Sequence, residues 1–198
     1  MKSTRTMLTA LLAAIAILAL PAAAQACSYT GAQQVFGQWG DQHSYVLGPD
    51  GGFEAGGSGW QLSHGATTVE GNEPFYLNSS DDSRALSLPA GSSALSPPVC
   101  MSIDTPIFRF VARNTGDPTA RLRVEAIYPL LGLLRTKAIS TVTSGSSWAP
   151  TQQLSTVLSL STIVGTLIPS SIQIRIVPLD AGGQWQVDDL YIDPFARH

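Results

Sequence analysis

The stretch Ile107-Phe108-Arg109-Phe110-Val111-Ala112-Arg113 alternates apolar and polar positions, and Arg121-Leu122-Arg123-Val124-Glu125-Ala126-Ile127-Tyr128 repeats the pattern after the turn Asn114-Thr115-Gly116-Asp117-Pro118. A period of two marks a strand with one buried face. The spacing predicts a hairpin whose Phe108, Phe110, Leu122, Val124 and Ala126 enter the core, with Arg109, Arg113, Arg123 and Glu125 on the opposite surface. Ile172-Gln173-Ile174-Arg175-Ile176 carries the same alternation. If these strands are neighbours, Arg109, Arg123, Glu125, Gln173 and Arg175 share one polar face.

Outward from this stretch the chain reads as strand, turn, strand. Short alternating runs at about 44–48, 59–63, 67–71, 84–89, 99–104, 106–113, 119–128, 136–142, 153–159, 170–178 and 184–193 are separated by Gly, Pro, Asn, Asp and Ser clusters. No long run from residue 27 onward shows apolar residues at helical spacing. The expected class is all-β, a two-sheet antiparallel β-sandwich. Leu130, Leu131, Leu133 and Leu134 form the most apolar loop, which reads either as a turn of helix or as an exposed lip.

Residues 1–26 read as a secretory signal: Lys2 and Arg5 precede the apolar Leu8–Leu20 segment, and Ala24-Gln25-Ala26 is a small-x-small cleavage site. The remaining 27–198 is 172 residues (198 − 26), the size of one domain, with an N-terminal strap at about 27–50. We therefore expect a secreted, extracellular protein with no membrane span. Without Lys2 and Arg5 the chain carries nine basic residues against fourteen acids, a formal charge of −5, and its arginines are scattered. That excludes a basic nucleic-acid footprint.

Cys27 and Cys100 both follow the cleavage site, and paired thiols oxidise in exported proteins. A disulfide between them would close a loop of 73 residues (100 − 27). Such a loop stabilises by roughly 4 kcal/mol in the chain-entropy model. The competing reading is a lipid anchor on Cys27, although Ala24 stands where lipoprotein sites usually carry Leu.

Gly52-Phe53-Glu54-Ala55-Gly56-Gly57-Ser58-Gly59-Trp60 and Trp185-Gln186-Val187-Asp188-Asp189-Leu190-Tyr191-Ile192-Asp193 each set an acid beside a large apolar anchor. Together they resemble the opening "FE…GW" and closing "IDD-hydrophobic" strands of jelly-roll carbohydrate-binding modules with a galactose-binding-like fold. The resemblance implies a jelly roll and a structural calcium, with Glu54 and Asp188 as side-chain ligands and the Asp81-Asp82-Ser83 turn as the place for a further one. Read without it, Glu54 and Asp188 are two solvated edge acids. Val35–Asp41, Gly71–Phe75, Pro106–Gly116 and Trp185–Pro194 also resemble blocks of a group of secreted bacterial proteins of unknown function.

No Gly-x-Ser-x-Gly, His-Glu-x-x-His or clustered Cys/His motif occurs, and none of His43, His64 and His198 sits in a catalytic signature. We expect no enzyme. Two functions compete for the polar face. In one, a lectin-like module uses Arg109, Arg123, Glu125, Gln173 and Arg175 to hold a polysaccharide or other glycan, an acidic one suiting the arginine forks. In the other, the domain is structural or adhesive and that face is merely solvated. Trp60, Trp148 and Trp185 read as packing residues, whereas Trp39 and Tyr45, in the polar strap, are candidate stacking platforms.

Overall fold

A computed structural model describes residues 29–101, 107–130, 133–156 and 170–193. The proposed signal peptide and Cys27 lie outside the described residues, as do 157–159 of the expected strand at 153–159. Cys100 is not a free thiol.

Thirteen strands are present among the described residues: β1 Val46–Leu47, β2 Gln61–Ser63, β3 Thr67–Glu70, β4 Arg84–Pro89, β5 Ser93–Leu95, β6 Val99–Met101, β7 Ile107–Asn114, β8 Leu122–Leu130, β9 Leu133–Val142, β10 Ala149–Pro150, β11 Leu154–Ser155, β12 Ser170–Pro178 and β13 Gln184–Asp193. They form two antiparallel sheets. The first runs β10-β7-β13-β4-β3, with β1 also on β13 and β11 also on β7. The second runs β2-β5-β12-β8-β9, with β6 also on β12. The two-sheet β-sandwich expected from alternation, and the jelly roll that the resemblance implies, are the observed fold. The short β5 and β10 were not anticipated, being too brief to show a period.

Alternation dictates the core. Phe108, Phe110 and Ala112 from β7 and Trp185 and Val187 from β13 meet Leu122, Val124 and Ala126 from β8 and Ile172, Ile174 and Ile176 from β12. Burial of such side chains stabilises by roughly 1.5–3 kcal/mol each. The two strands of the opening stretch do not form a hairpin, however. β7 pairs with β13, whereas β8 pairs with β12 and β9, so residues 114–121 cross from one sheet to the other. The connection from β12 to β13 crosses beside it, joined by Asp117 N–H to Gly182 O at 2.9 Å, Leu179 N–H to Arg121 O at 2.9 Å and the Arg121–Asp180 ion pair at 3.0 Å. The apolar faces of β7 and β8 meet across the core instead of lying side by side.

A second apolar cluster covers the outside of the first sheet. Phe36, Tyr45, Ile107, Val111 and Tyr191 are buried there, with Trp39, Phe75 and Trp148 packed against them. The strap thus buries Tyr45 completely and leaves Trp39 half-buried, edge-on to Phe75 at 4.8 Å. Neither is a free platform. At the end of the β8–β9 pairing, where Leu130 pairs with Leu133 and Pro129 with Leu134, Leu133 and Leu134 stand exposed.

β13 contains a bulge between Asp188 and Tyr191, with Asp189 at a φ of 51°. The extra residue shifts the alternation by one, so Leu190 and Ile192 face the core after Trp185 and Val187. It also turns the Leu190 peptide toward the 48–51 turn, where Leu190 N–H donates to Gly51 O at 3.0 Å and Gly48 N–H donates to Leu190 O at 2.8 Å. A Cβ at Gly51 would lie 2.6 Å from Leu190 O and 3.1 Å from Gly48 O, both backbone atoms that cannot turn away. Gly51→Ala is expected to cost about 1–3 kcal/mol by urea denaturation. Gly37→Ala, which meets nothing within 4 Å, is the control, and equal stability of the two variants would refute the clash.

Candidate functional site

The bulge gathers acids. Asp188, Asp189 and Glu73 are each fully buried. Asp188 accepts the Asp189 N–H at 2.9 Å and the Glu73 N–H at 3.3 Å. Glu73 accepts the N–H of Leu77 at 2.7 Å and that of Phe75, closing the 73–77 loop. Neither carboxylate oxygen of Asp189 makes a well-aligned hydrogen bond, although the Glu73 carboxyl and the Asn78 N–H both lie close to it. A Cβ at Gly52 would lie 3.3 Å from Asp189 Oδ1 and 3.6 Å from both Asn78 Nδ2 and Asp82 Oδ2, so the bare glycine leaves these polar groups a common space.

Crowding of like charges away from water raises carboxyl pKa values. Burial, then the charge of Asp189, pushes Asp188 up to about 9. Burial, then the Glu73 carboxylate, pushes Asp189 up to about 8. The groups gathered here are hard oxygens of the kind calcium takes. Among the described residues no group of three or more His, Cys, Asp or Glu side chains is placed to hold a metal ion.

Of the expected ligands, Asp188 lies in this nest but spends its oxygens on two backbone N–H groups. Glu54 is exposed and clasps the start of β4, accepting Ser83 N–H at 2.8 Å, Arg84 N–H at 2.7 Å and Ser83 Oγ–H at 3.2 Å. The carboxylate without a well-aligned hydrogen bond belongs to Asp189, and its acidic neighbour Glu73 lies 116 positions earlier. The doubled Asp188-Asp189 was the only visible signal for it.

The polar face is real but smaller than expected. Glu125, 5% exposed, sits between two arginines on the outside of the second sheet. Its Oε1 lies 2.7 Å from Arg123 Nε, and its Oε2 accepts Arg175 Nε at 2.6 Å and pairs with Arg175 Nη2 as well. The contact with Arg123 is an ion pair without hydrogen-bond alignment. Gln173, on the same face of β12, donates to Ser96 O at 2.9 Å. Across the sheet, Gln61, Leu95, Arg175, Glu125 and Ala138 stand in register, and none of these positions carries an aromatic ring.

Arg109 does not belong to this face. It projects from the first sheet, 7% exposed, where Nη1 meets Asp41 Oδ2 at 2.6 Å, Nε donates to Thr151 O at 2.8 Å and the guanidinium lies 4.4 Å from the Phe36 ring centre. Parity along β7 and β8 is the same, but the sheets differ. Arg113, beside it on the first sheet, donates to Gln186 Oε1 at 2.6 Å and stacks on Trp148.

The sequence matches no protein-family model and no curated protein. Solved structures share its fold, and those named here are carbohydrate-binding modules. Residues of the chain superpose on the CBM22-1–GH10 modules of Clostridium thermocellum xylanase 10B complexed with xylohexaose at 14% identity and TM-score 0.53, over 78% of this chain and 29% of that one. The CBM22-1–CBM22-2 tandem of Paenibacillus barcinonensis Xyn10C aligns at 13% identity and TM-score 0.52, over 76% and 44%. A family 16 carbohydrate-binding module aligns at 14% identity and TM-score 0.51, over 74% of this chain and 99% of that one. This chain thus spans about a third to a half of the two multi-module proteins and matches a single module throughout.

Proposed function

We propose that this protein is an exported, non-catalytic carbohydrate-binding module that holds a glycan on the outer face of its second sheet. The observation that carries the reading is the Arg123–Glu125–Arg175 centre: buried Glu125 hydrogen-bonds Arg175 and ion-pairs with Arg123, side chains that remain 35% and 39% exposed, so donors stand beside one anchored acid. The fold it shares with carbohydrate-binding modules, one of them in a protein complexed with xylohexaose, supports it. Glu125 is already matched to two cations, and the register positions beside it offer no second carboxylate of the kind glycoside hydrolysis requires. With no ring to stack on, recognition is by hydrogen bonds. The two arginines against one acid favour a glycan bearing carboxylates.

Were calcium bound, Asp189 would in this reading supply its carboxylate, with Glu73 and Asp82 as charged neighbours and not as ligands, in place of Glu54 and Asp188. The ion would supply positive charge that ties the β13 bulge to the 73–82 loop. Because those residues belong to the first sheet and its loops, the ion is structural and does not touch the glycan face. The Cys27–Cys100 disulfide and the signal peptide complete the picture of an extracellular domain.

Removing one charged donor costs about 1.5–3 kcal/mol when it contacts a ligand charge. Arg123→Ala is therefore expected to weaken oligogalacturonate binding at least tenfold in low-salt titration calorimetry, and added salt to weaken wild type. One observation favours a structural domain with no small ligand: Glu125 already engages both arginines. On that reading the calorimeter records no heat from acidic or neutral glycans, and Arg123→Ala changes stability by only about 0–1 kcal/mol.

A further inference from the structure

At one side of the sandwich the free edge of β9 faces the interrupted outer strand β10–β11 of the other sheet. Between them lies a cleft of about 280 Å3, lined by 140–144, 149–154 and Ala112. Among the described residues its lining carries no charged and no aromatic side chain. Three polar groups there are anchored yet keep unused capacity. Thr151 Oγ accepts the Phe110 N–H at 3.2 Å, which leaves its own O–H to donate. Gln153 gives its amide N–H to Asp41 at 3.1 Å, which leaves its oxygen to accept. Ser144 donates to Ala112 O at 3.2 Å, which leaves its lone pairs. Thr143 and Gln152 are exposed at the rim.

The backbone there does not suit an added peptide strand. Pro150 has no N–H, the Thr151 N–H already bonds Phe110 O at 2.8 Å, and the strand breaks at 151–153, so no regular ladder is on offer. An anion finds no cation in the lining and a cation no carboxylate, since Asp41 behind Gln153 is matched by Arg109. What the groups do fit is a small uncharged molecule with hydroxyls on several sides. We propose that this edge cleft is a second saccharide site, taking a neutral sugar unit independently of the arginine face. Its volume is at the low end of small-molecule sites, about 300–1,000 Å3, which suits one residue or a chain end.

The test is amide NMR of the mature protein titrated with xylohexaose, cellohexaose and β-1,4-galactotriose. At least one should produce saturable shifts confined to 140–144 and 149–154, with a dissociation constant of about 1 mM. Thr143→Val and Gln152→Ala should each weaken that binding about threefold to tenfold while leaving the melting temperature alone, as both side chains are exposed. Arg123→Ala should leave it unchanged. The inference is overturned if none of the three sugars shifts those amides, or if both cleft variants bind as wild type does. Oligogalacturonate reports on the arginine face separately, so either site can fail without the other.

Discussion

Arg109→Met is expected to destabilise the fold by about 3–5 kcal/mol, the cost of leaving a buried partner charge unmatched. Asp41 accepts from Arg109 Nη1 at 2.6 Å, Tyr45 Oη at 2.8 Å, the His43 N–H at 3.0 Å and Gln153 Nε2 at 3.1 Å. Burial pushes its carboxyl up, but the hydrogen bonds from His43, Tyr45, Arg109 and Gln153 together hold it below the ordinary carboxylate value. Deleting Arg109 removes the only full positive charge among those donors. The strap should loosen with it, since Asp41 also anchors Tyr45 and through it the Phe36 cluster. Urea denaturation reads the loss. Asp41→Leu combined with Arg109→Met should recover part of it, because two apolar groups leave no orphaned charge. Oligogalacturonate binding to any folded Arg109→Met protein should equal that of wild type. A loss below about 1 kcal/mol would show that the pair is not structural.

The second large effect concerns pH and calcium. Asp188 and Asp189 have folded-state pKa values of about 9 and about 8. Unfolded aspartates titrate at about 3.9. Between these limits the cation-free folded state holds protons that the unfolded state has released, so its stability falls as pH rises. The slope is at most about 1.4 kcal/mol per pH unit for each retained proton. In chelator the melting temperature should drop steadily from pH 5 to pH 8. A cation bound only by the folded state replaces those protons and adds about 2.7 kcal/mol at a hundredfold excess over its dissociation constant. The gap between calcium and chelator should therefore widen with pH. Asp189→Asn should remove the calcium response and flatten the chelated profile, whereas Glu54→Gln should leave the response in place. Identical melting in calcium and chelator at pH 8 would dismiss the metal.

What was legible in the sequence was local. Alternation in 107–113, 122–128 and 172–176 named the side chains that enter the core, because strand pleating sends neighbours to opposite faces whatever the strand pairs with. It could not tell which sheet each strand joins. Phe108 and Val124 point into the same core from opposite sides, so the same parity that put Arg123 and Arg175 on an open face put Arg109 under the strap. The strap's own aromatics carried no sign of which way they would turn; Tyr45 is buried only because the outer face of the first sheet offers Val111 and Tyr191 to cover.

The acid nest divides in the same way. Two adjacent aspartates on the closing strand were visible, but the resemblance pointed to a cation only through Asp188 paired with Glu54. By simple alternation one of them would face away. Only the bulge, which inserts a residue opposite β7 and leaves Asp189 in a left-handed conformation, buries both, and only the fold carries Glu73 to them. Strand character and core membership thus follow from residue order. Sheet assignment, the partner of each charge and the burial of Asp189 beside Glu73 follow from contacts between segments far apart in the chain, where backbone pairing and exclusion of water, not local preference, set the energy.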